Sequence, residues 1–492
     1  MEQTQLHRYF QKRSSGVLLH PTSLPGSGGP LGEEAFRFVQ FLTDAGFSLW
    51  QMLPVNSIGA RFASPYQGTS VHAGNPWLIN FDRLQREPWL DNGFPGAGAA
   101  TLPPARLISA ARGRFEEYAA VSEHQAYHEF RETHAWWLED YALFSALKNE
   151  FAQAPWWQWP GALRHRETAA LASFAGTHRQ ELEDFHFEQF IFQRQWHDLK
   201  RYANEHGILL FGDMPILIAH DSVDVWVNTR YFQLDARGQP LVVAGVPPDY
   251  FSAVGQRWGN PLYDWSEIAR DGFRWWIERL RSQLTLFDIV RLDHFRGFVS
   301  LWEIPAACET AVDGHWQPVP GRALLQALEQ EFGVLPIVAE DLGTISQEVL
   351  DLRDDFHLPG MKVLLFAFES DNGNPYLPHN HDLRSVVYTG THDNDTALGW
   401  YYSLDDDRRQ RVLEYLQYPR ESMPWPLIST ALASVCPAAV LPMQDLLGLD
   451  GSHRMNTPGT TENNWRWRFD WEWIAPDLAP RLRHLNEIYA RI

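Results

Sequence analysis

FDIVRLDHF, residues 287–295, decides the fold. It opens as a short run of apolar and β-branched residues, too short for a helix, and it stops on Asp293 beside turn-forming residues. Three more runs have the same form and also end on an acid. ILLFGD (208–213) ends on Asp213, PIVAE (336–340) on Glu340 and VVYTGTHD (386–393) on Asp393. Each reads as a strand buried on both faces. A carboxylate where such a strand runs out points to the rim of a parallel sheet, the edge on which α/β enzymes keep their chemistry. Four acids from four strands predict one carboxylate-lined site, a pattern suited to sugar chemistry.

Four further runs bring the strand count to eight: GVLLH (16–20), SLWQMLPV (48–55), MKVLLFAF (361–368) and VLPMQDLLG (440–448). Amphipathic helix patterns lie between most of them. One over 32–45 is stopped by Gly46, one over 264–286 starts on Asp264 as its cap, and two more cover 322–332 and 344–353, the last capped by Thr344. Eight strands alternating with helices predict an α/β fold, a (β/α)8 TIM barrel. Two gaps exceed any simple crossover: 56–207 between strands two and three, with helical patterns near 121–150 and 178–206, and 214–286 between strands three and four. Neither holds a Ser/Gly-rich or charged hinge. The expectation is therefore a single catalytic domain over 1–492, with helical and loop insertions on the C-terminal face of the strands.

The totals fit this reading. The net charge of -20, from 41 basic and 61 acidic residues, argues against nucleic acid or an anionic membrane as partner. No stretch has the roughly 18 consecutive apolar residues of a membrane span, and MEQTQLHRYFQKRSSG lacks the apolar core of a secretory signal. Two cysteines, Cys308 and Cys436, build no disulfide framework, which points to a reducing cytoplasm. The aromatic content, 22 Trp, 29 Phe and 16 Tyr, supplies a large core and flat faces on which sugar rings can stack.

Strand period two puts Arg291 and Asp293 on one face, and an arginine beside a carboxylate favours the ionised form that a nucleophile needs. Glu340, on the next strand, supplies a second carboxyl. If its pKa is raised it can protonate a leaving oxygen and later deprotonate an acceptor. Asp393, after His392, is a third, placed to bind hydroxyls and hold a ring distorted. Asp213 either fixes Arg291 or joins the chemistry itself.

Three loops complete the candidate site. Ser64-Pro65-Tyr66-Gln67 follows strand two. GVPPDYFSAVGQRWGNPLYDW (245–265), with Asp249, Tyr250, Phe251 and Trp258, is too rich in Pro and Gly for helix or strand; it is either a lid or packing against the insertion. RMNTPGTTENNWRWR (454–468) offers Asn463 and Asn464, which suit either hydroxyl recognition or a plain turn. GSGGPLG (26–32) lacks the Gly-Lys-Ser/Thr of a phosphate loop. Asp393-Asn394-Asp395 matches the Asp-x-Asp of metal-dependent sugar-nucleotide enzymes, but the strand count favours the barrel. No cluster has zinc spacing.

Together, GDMPI, VRLDHF, VAEDLG and YTGTHDNDT resemble the four motifs of the α-amylase superfamily. SPYQ with AGNPW, the 245–265 loop and the 454–468 loop narrow the resemblance to the amylomaltases or disproportionating enzymes, the 4-α-glucanotransferases of glycoside hydrolase family 77. The matches run from about residue 13 to 470. The resemblance implies retaining transfer between α-1,4-glucans, with Asp293 as nucleophile, Glu340 as acid/base and Asp393 as transition-state stabiliser. Asp213, Arg291, His294 and His392 would surround them, Tyr250 and Phe251 would belong to a lid, and Tyr66 and Asn464 would touch donor-side sugars. Maltooligosaccharides, amylose and glucose would be the partners, with no cofactor or metal. The alternatives are an α-glucan hydrolase of α-amylase type, with the same carboxylates in a wetter site, and a carbohydrate-binding protein on a dead barrel.

Overall fold

The computed structural model describes residues 7–26, 28–59, 63–91, 104–248 and 253–492. Eight parallel strands form its centre: β1 (Ser14–Leu18), β2 (Leu49–Gln51), β3 (Leu209–Met214), β4 (Ile289–Leu292), β5 (Ile337–Ala339), β6 (Gly360–Val363), β7 (Ser385–Tyr388) and β8 (Ala438–Pro442). They pair in the order β6–β7–β8–β1–β2–β3–β4–β5. The Ala339 N–H donates to the Pro359 carbonyl at 2.8 Å, which bridges β5 to the approach of β6 and brings the two sheet ends together as a barrel. This is the (β/α)8 architecture expected from the strand count.

Side chains alternate as strand geometry requires. Leu18, Leu49, Phe211, Ile289, Val338, Met361, Val386 and Ala438 cluster inside the barrel. Their neighbours Val17, Trp50, Leu210, Val290, Ile337, Val387 and Ala439 pack outward into the helix layer. Two residues further along the inward face, Phe211 gives way to Asp213, Ile289 to Arg291 and then to the turn residue Asp293, and Val338 to Glu340. The face that fills the barrel with hydrocarbon therefore ends, at its C-terminal mouth, in a charged layer.

Several boundaries differ from the sequence reading. The run 361–368 is strand only to Val363 and then turns into a 3-10 helix, Leu364–Phe366. The run 440–448 is strand only to Pro442, which lacks the N–H to extend the ladder and opens the helix Met443–Leu446. The single helix expected over 264–286 is two, Trp265–Arg270 and Arg274–Leu286. Asp264 does cap the first, accepting from the Ser266 and Glu267 N–H groups. The chain then breaks at Gly272 and Phe273, both with positive φ. Thr344 caps nothing, because the helix after β5 begins at Gln347 behind Ser346.

Between β2 and β3 the long helices Val121–Glu150 and Arg179–Glu205 pack together. Two glutamines of the second helix hold the loop that leads away from Tyr66. Gln189 pairs with the N–H and carbonyl of Gly74 (2.8 and 3.0 Å), and Gln195 with those of Asn80 (2.8 and 2.9 Å). A four-stranded antiparallel sheet, which the sequence reading missed, joins Gln256–Pro261, Val242–Val246, Ser300–Pro305 and His315–Pro318 in that order. It carries Trp258 to the barrel mouth.

Gly16 of β1 lies opposite Leu49 of β2, where an added Cβ would come within 2.4 Å of the Leu49 carbonyl oxygen. Gly16→Ala should force the two strands apart and destabilise by about 1–3 kcal/mol. Gly113, exposed inside the helix Pro104–Tyr118, would meet nothing within 4 Å, so Gly113→Ala should stabilise by roughly 0.5–1 kcal/mol. Calorimetric melting of the two variants should move the midpoint in opposite directions; shifts of the same sign would contradict this packing.

Candidate active site

Arg291 is the centre of the charged layer. It lies beside Asp213 in the β3–β4 register, and both are buried. Its Nη1 donates to both oxygens of Asp213 at 2.8 Å. Its Nη2 is 2.9 Å from Asp293 Oδ1 and 4.0 Å from Glu340 Oε2. Burial works against the guanidinium charge, but Asp213 and Asp293 outweigh it and hold Arg291 protonated, well above its ordinary pKa. Burial likewise pushes the Asp213 carboxyl upward, against the pull of Arg291.

Asp293 and Glu340 sit in different surroundings. Asp293 leaves β4 with its side chain 30% exposed, whereas that of Glu340 is 13% exposed. Both oxygens of Glu340 accept backbone hydrogens, from His294 N–H at 2.7 Å and Leu342 N–H at 2.9 Å. His294 reaches this position through a left-handed backbone, φ 52°. Burial pushes the Glu340 carboxyl up to about 7, with Arg291 opposing and the Asp293 charge adding. The shared Arg291 nitrogen bounds the distance between the two carboxyl oxygens it faces at about 7 Å, which admits the roughly 5–5.5 Å of a retaining pair.

The third acid is reached through a chain of contacts. The Tyr66 hydroxyl donates to Asp213 Oδ2 at 2.7 Å and accepts from His392 Nε2–H at 2.8 Å. His392 Nε2 is also 3.3 Å from Asp393 Oδ2. The Tyr66 and His392 rings stack at 5.3 Å, and Trp465 packs on both. Burial, then the neighbouring Asp213 charge, hold the Tyr66 phenol well above its usual pKa, so it stays a donor. Asp393 itself is 47% exposed and opens to solvent.

The structure thus brings Tyr66, Asp213, Arg291, Asp293, His294, Glu340, His392 and Asp393 to one mouth. Trp258 joins them, its ring edge-on to His294 at 5.0 Å. Burial lowers the His294 pKa to about 4, despite Asp293, so the ring is neutral at pH 7. Asn464 also folds its own loop: its Oδ1 accepts from Thr457 N–H at 3.0 Å and its Nδ2 donates to the Thr460 carbonyl at 3.0 Å. Asn463 is exposed with φ 62°, a turn position. Asp249, Tyr250 and Phe251 lie outside the described residues.

Sequence reasoning missed three residues. Asn456 Nδ2 donates to Asp393 Oδ1 at 2.6 Å, Arg454 Nη2 donates to the Asp393 carbonyl at 2.9 Å, and Trp465 covers the Tyr66–His392 stack. The one available signal was the aromatic in NNWRWR. Among the described residues, no group of three or more His, Cys, Asp or Glu could hold a metal ion, and no helix is long and apolar enough to cross a membrane.

A (β/α)8 barrel whose C-terminal mouth presents arginine-linked carboxyls is the architecture of enzymes that act on glycosidic bonds. The sequence model of the family described as 4-alpha-glucanotransferase, glycoside hydrolase family 77, matches residues 19–473. A 4-alpha-glucanotransferase of Thermus thermophilus is 48% identical over 98% of this chain and 99% of its own length. One from Synechocystis is 45% identical, with the same coverage. An amylomaltase from Streptococcus agalactiae, solved in complex with acarbose, superposes with a TM-score of 0.92 at 37% identity, over 98% of this chain and all of the other. The chain belongs to the 4-alpha-glucanotransferases of glycoside hydrolase family 77.

The planar guanidinium fork reaches Asp213 through one nitrogen and Asp293 through the other, a geometry that a compact ammonium does not reproduce. Arg291→Lys should lower kcat for glucan transfer by about two to three orders of magnitude. Steady-state kinetics would check this, and a loss below about ten-fold would remove Arg291 from the centre of the site.

Proposed function

We infer that Asp293 and Glu340 carry a retaining double displacement by which this 4-α-glucanotransferase moves α-1,4-glucan segments from one maltooligosaccharide or starch chain to another, or to glucose. Asp293 attacks the anomeric carbon as the bond to the leaving glucan breaks, and protonated Glu340 gives its proton to the leaving oxygen. The resulting glucosyl ester on Asp293 then meets the 4-hydroxyl of an acceptor. Glu340, now a carboxylate, takes the hydroxyl proton as the new glycosidic bond forms and Asp293 is released. Asp393 binds sugar hydroxyls at the open side and stabilises the distorted ring. Asp213, Tyr66 and His392 hold Arg291 and Asp393 in place, while His294 and Trp258 face the sugar.

One observation carries this assignment of roles. Glu340 is the sheltered carboxyl, raised to about 7 and 4.0 Å from the same arginine that holds the more exposed Asp293 at 2.9 Å. Two carboxyls with different environments divide the acid and nucleophile roles. The amylomaltase relative solved with acarbose supports a glucan-binding reading of the same mouth. The chain would act as one catalytic unit over 1–492, with 56–207 and 214–286 as insertions, in the cytoplasm. Transfer prevails over hydrolysis if a bound sugar outcompetes water by position and by exclusion of solvent.

Incubation with maltotriose alone should yield glucose together with maltooligosaccharides longer than the substrate; only shorter products would favour the hydrolase. As the first step needs protonated Glu340, kcat/KM should fall as pH rises through about 7. Glu340→Gln should lose that limb and nearly all activity.

The same residue sets a stability trend. A carboxyl raised from an ordinary value near 4.5 to about 7 binds its proton more tightly when folded. That contribution is fully present below about pH 4.5 and is lost as pH rises through 7, to the extent of roughly 3 kcal/mol. Because Gln never ionises, the melting temperature of Glu340→Gln relative to the native protein should be higher at pH 8 than at pH 5. A difference independent of pH would show that Glu340 is not held protonated by the fold.

A further inference from the structure

A second cavity of about 660 Å3 opens away from the carboxylates and shares no lining residue with them. It lies between the insertion helix Val121–Glu150, the short helix Val223–Val227 and the first turn of the helix Arg274–Leu286. That last helix runs down the barrel wall into β4, so its first turn sits toward the C-terminal rim, on the side of the catalytic mouth. The volume is that of a small-molecule site, about 300–1,000 Å3.

The chemistry of the walls narrows the ligand. Trp136 is 52% exposed although it is an indole on a folded helix, and His72 meets its ring edge-on at 4.7 Å. Trp137 and Trp275 add buried aromatic wall. Two polar atoms of lining residues have no partner, the Trp275 Nε1–H donor and the Asp271 Oδ1 acceptor. Arg274 is exposed and makes no ion pair among the described residues. Three lining carboxylates already have cations, Asp140 with Arg166, Glu278 with Arg281 and Asp271 with Arg230, and the fourth, Asp224, is buried and accepts from the Val71 N–H at 2.9 Å. A cation would therefore find these acids taken, and an anion would enter a wall with more carboxylates than arginines. A neutral ligand with apolar faces and a rim of hydroxyls satisfies both the aromatic surface and the mixed donors and acceptors.

We propose that this cavity is a second binding site for an α-1,4-glucan chain, with Trp136 as its stacking platform and Arg274 as a hydroxyl partner on the opposite wall. It holds a polymeric substrate on the rim while another stretch of glucan occupies the catalytic mouth. This rests on the glucanotransferase reading for the choice of sugar. Long chains gain from it by engaging two sites at once, whereas a trisaccharide does not.

The test is paired measurements on the full chain, native and with Trp136→Ala or Arg274→Ala, two exposed positions on opposite walls. The dissociation constant for amylose, read from retardation in native gels containing it, should rise about five-fold or more in each variant. The kcat/KM on maltotriose should stay within about two-fold. An amylose dissociation constant unchanged in either variant would overturn the second site. A parallel fall on maltotriose would assign these residues to the catalytic mouth and overturn it as well. Absence of maltotriose turnover in the native protein would instead defeat the glucanotransferase reading, with the gel measurement still deciding whether the cavity takes glucan.

Discussion

A guanidinium buried at the top of a barrel must be neutralised by something equally buried, and everything at this mouth follows from how Arg291 is satisfied. Taking an arginine out of water costs several kcal/mol unless its partners are close and well oriented. Asp213 supplies the buried counter-charge from the neighbouring strand, and Asp293 supplies the second from the turn that ends β4. A slip of one residue between β3 and β4 would turn Asp213 or Arg291 out of the barrel. The ion pair thus penalises the wrong register as well as orienting Asp293.

The fixed arginine also separates the roles of two chemically similar acids. Asp293 forms an ion pair with the guanidinium at 2.9 Å and retains solvent access, while Glu340 is a longer step away and more deeply covered. Desolvation dominates at Glu340, and its backbone donors orient the carboxyl without offsetting burial. Burial, more than distance from the cation, sets Glu340 apart and raises its carboxyl to about 7.

The barrel was legible in the chain because parallel strands are covered on both faces and so appear as unbroken apolar runs. The acids at Asp213, Asp293, Glu340 and Asp393 were legible because a charge is tolerated only where such a run ends. The sheet built from Val242–Val246 and its partners was not, since its strands lie in loops rich in Pro and Gly and pair across two separate insertions. Arg454 and Asn456 were missed for another reason. Their contact with Asp393 spans more than sixty residues and leaves no local period to read. The turn that Asn464 closes was equally illegible, since its partners Thr457 and Thr460 carry no signal that pairs them with it.

What remains is why so rigid an inner layer should face so open an outer one. From Asp293 through Arg291, Asp213, Tyr66 and His392 to Asp393, each contact is at most 3.3 Å. Exposure is least in the middle of this path, 1% at the Asp213 side chain, and greatest at its two ends, 30% at Asp293 and 47% at Asp393. Asp293 and Glu340 are therefore positioned from below, by the barrel, while the mouth is open on the Asp393 side. Trp258 reaches the mouth from the four-stranded sheet, against His294, and Trp465 from the 454–468 loop, against Tyr66, and neither belongs to the barrel strands. Residues outside the barrel can then vary without disturbing the ion pair beneath.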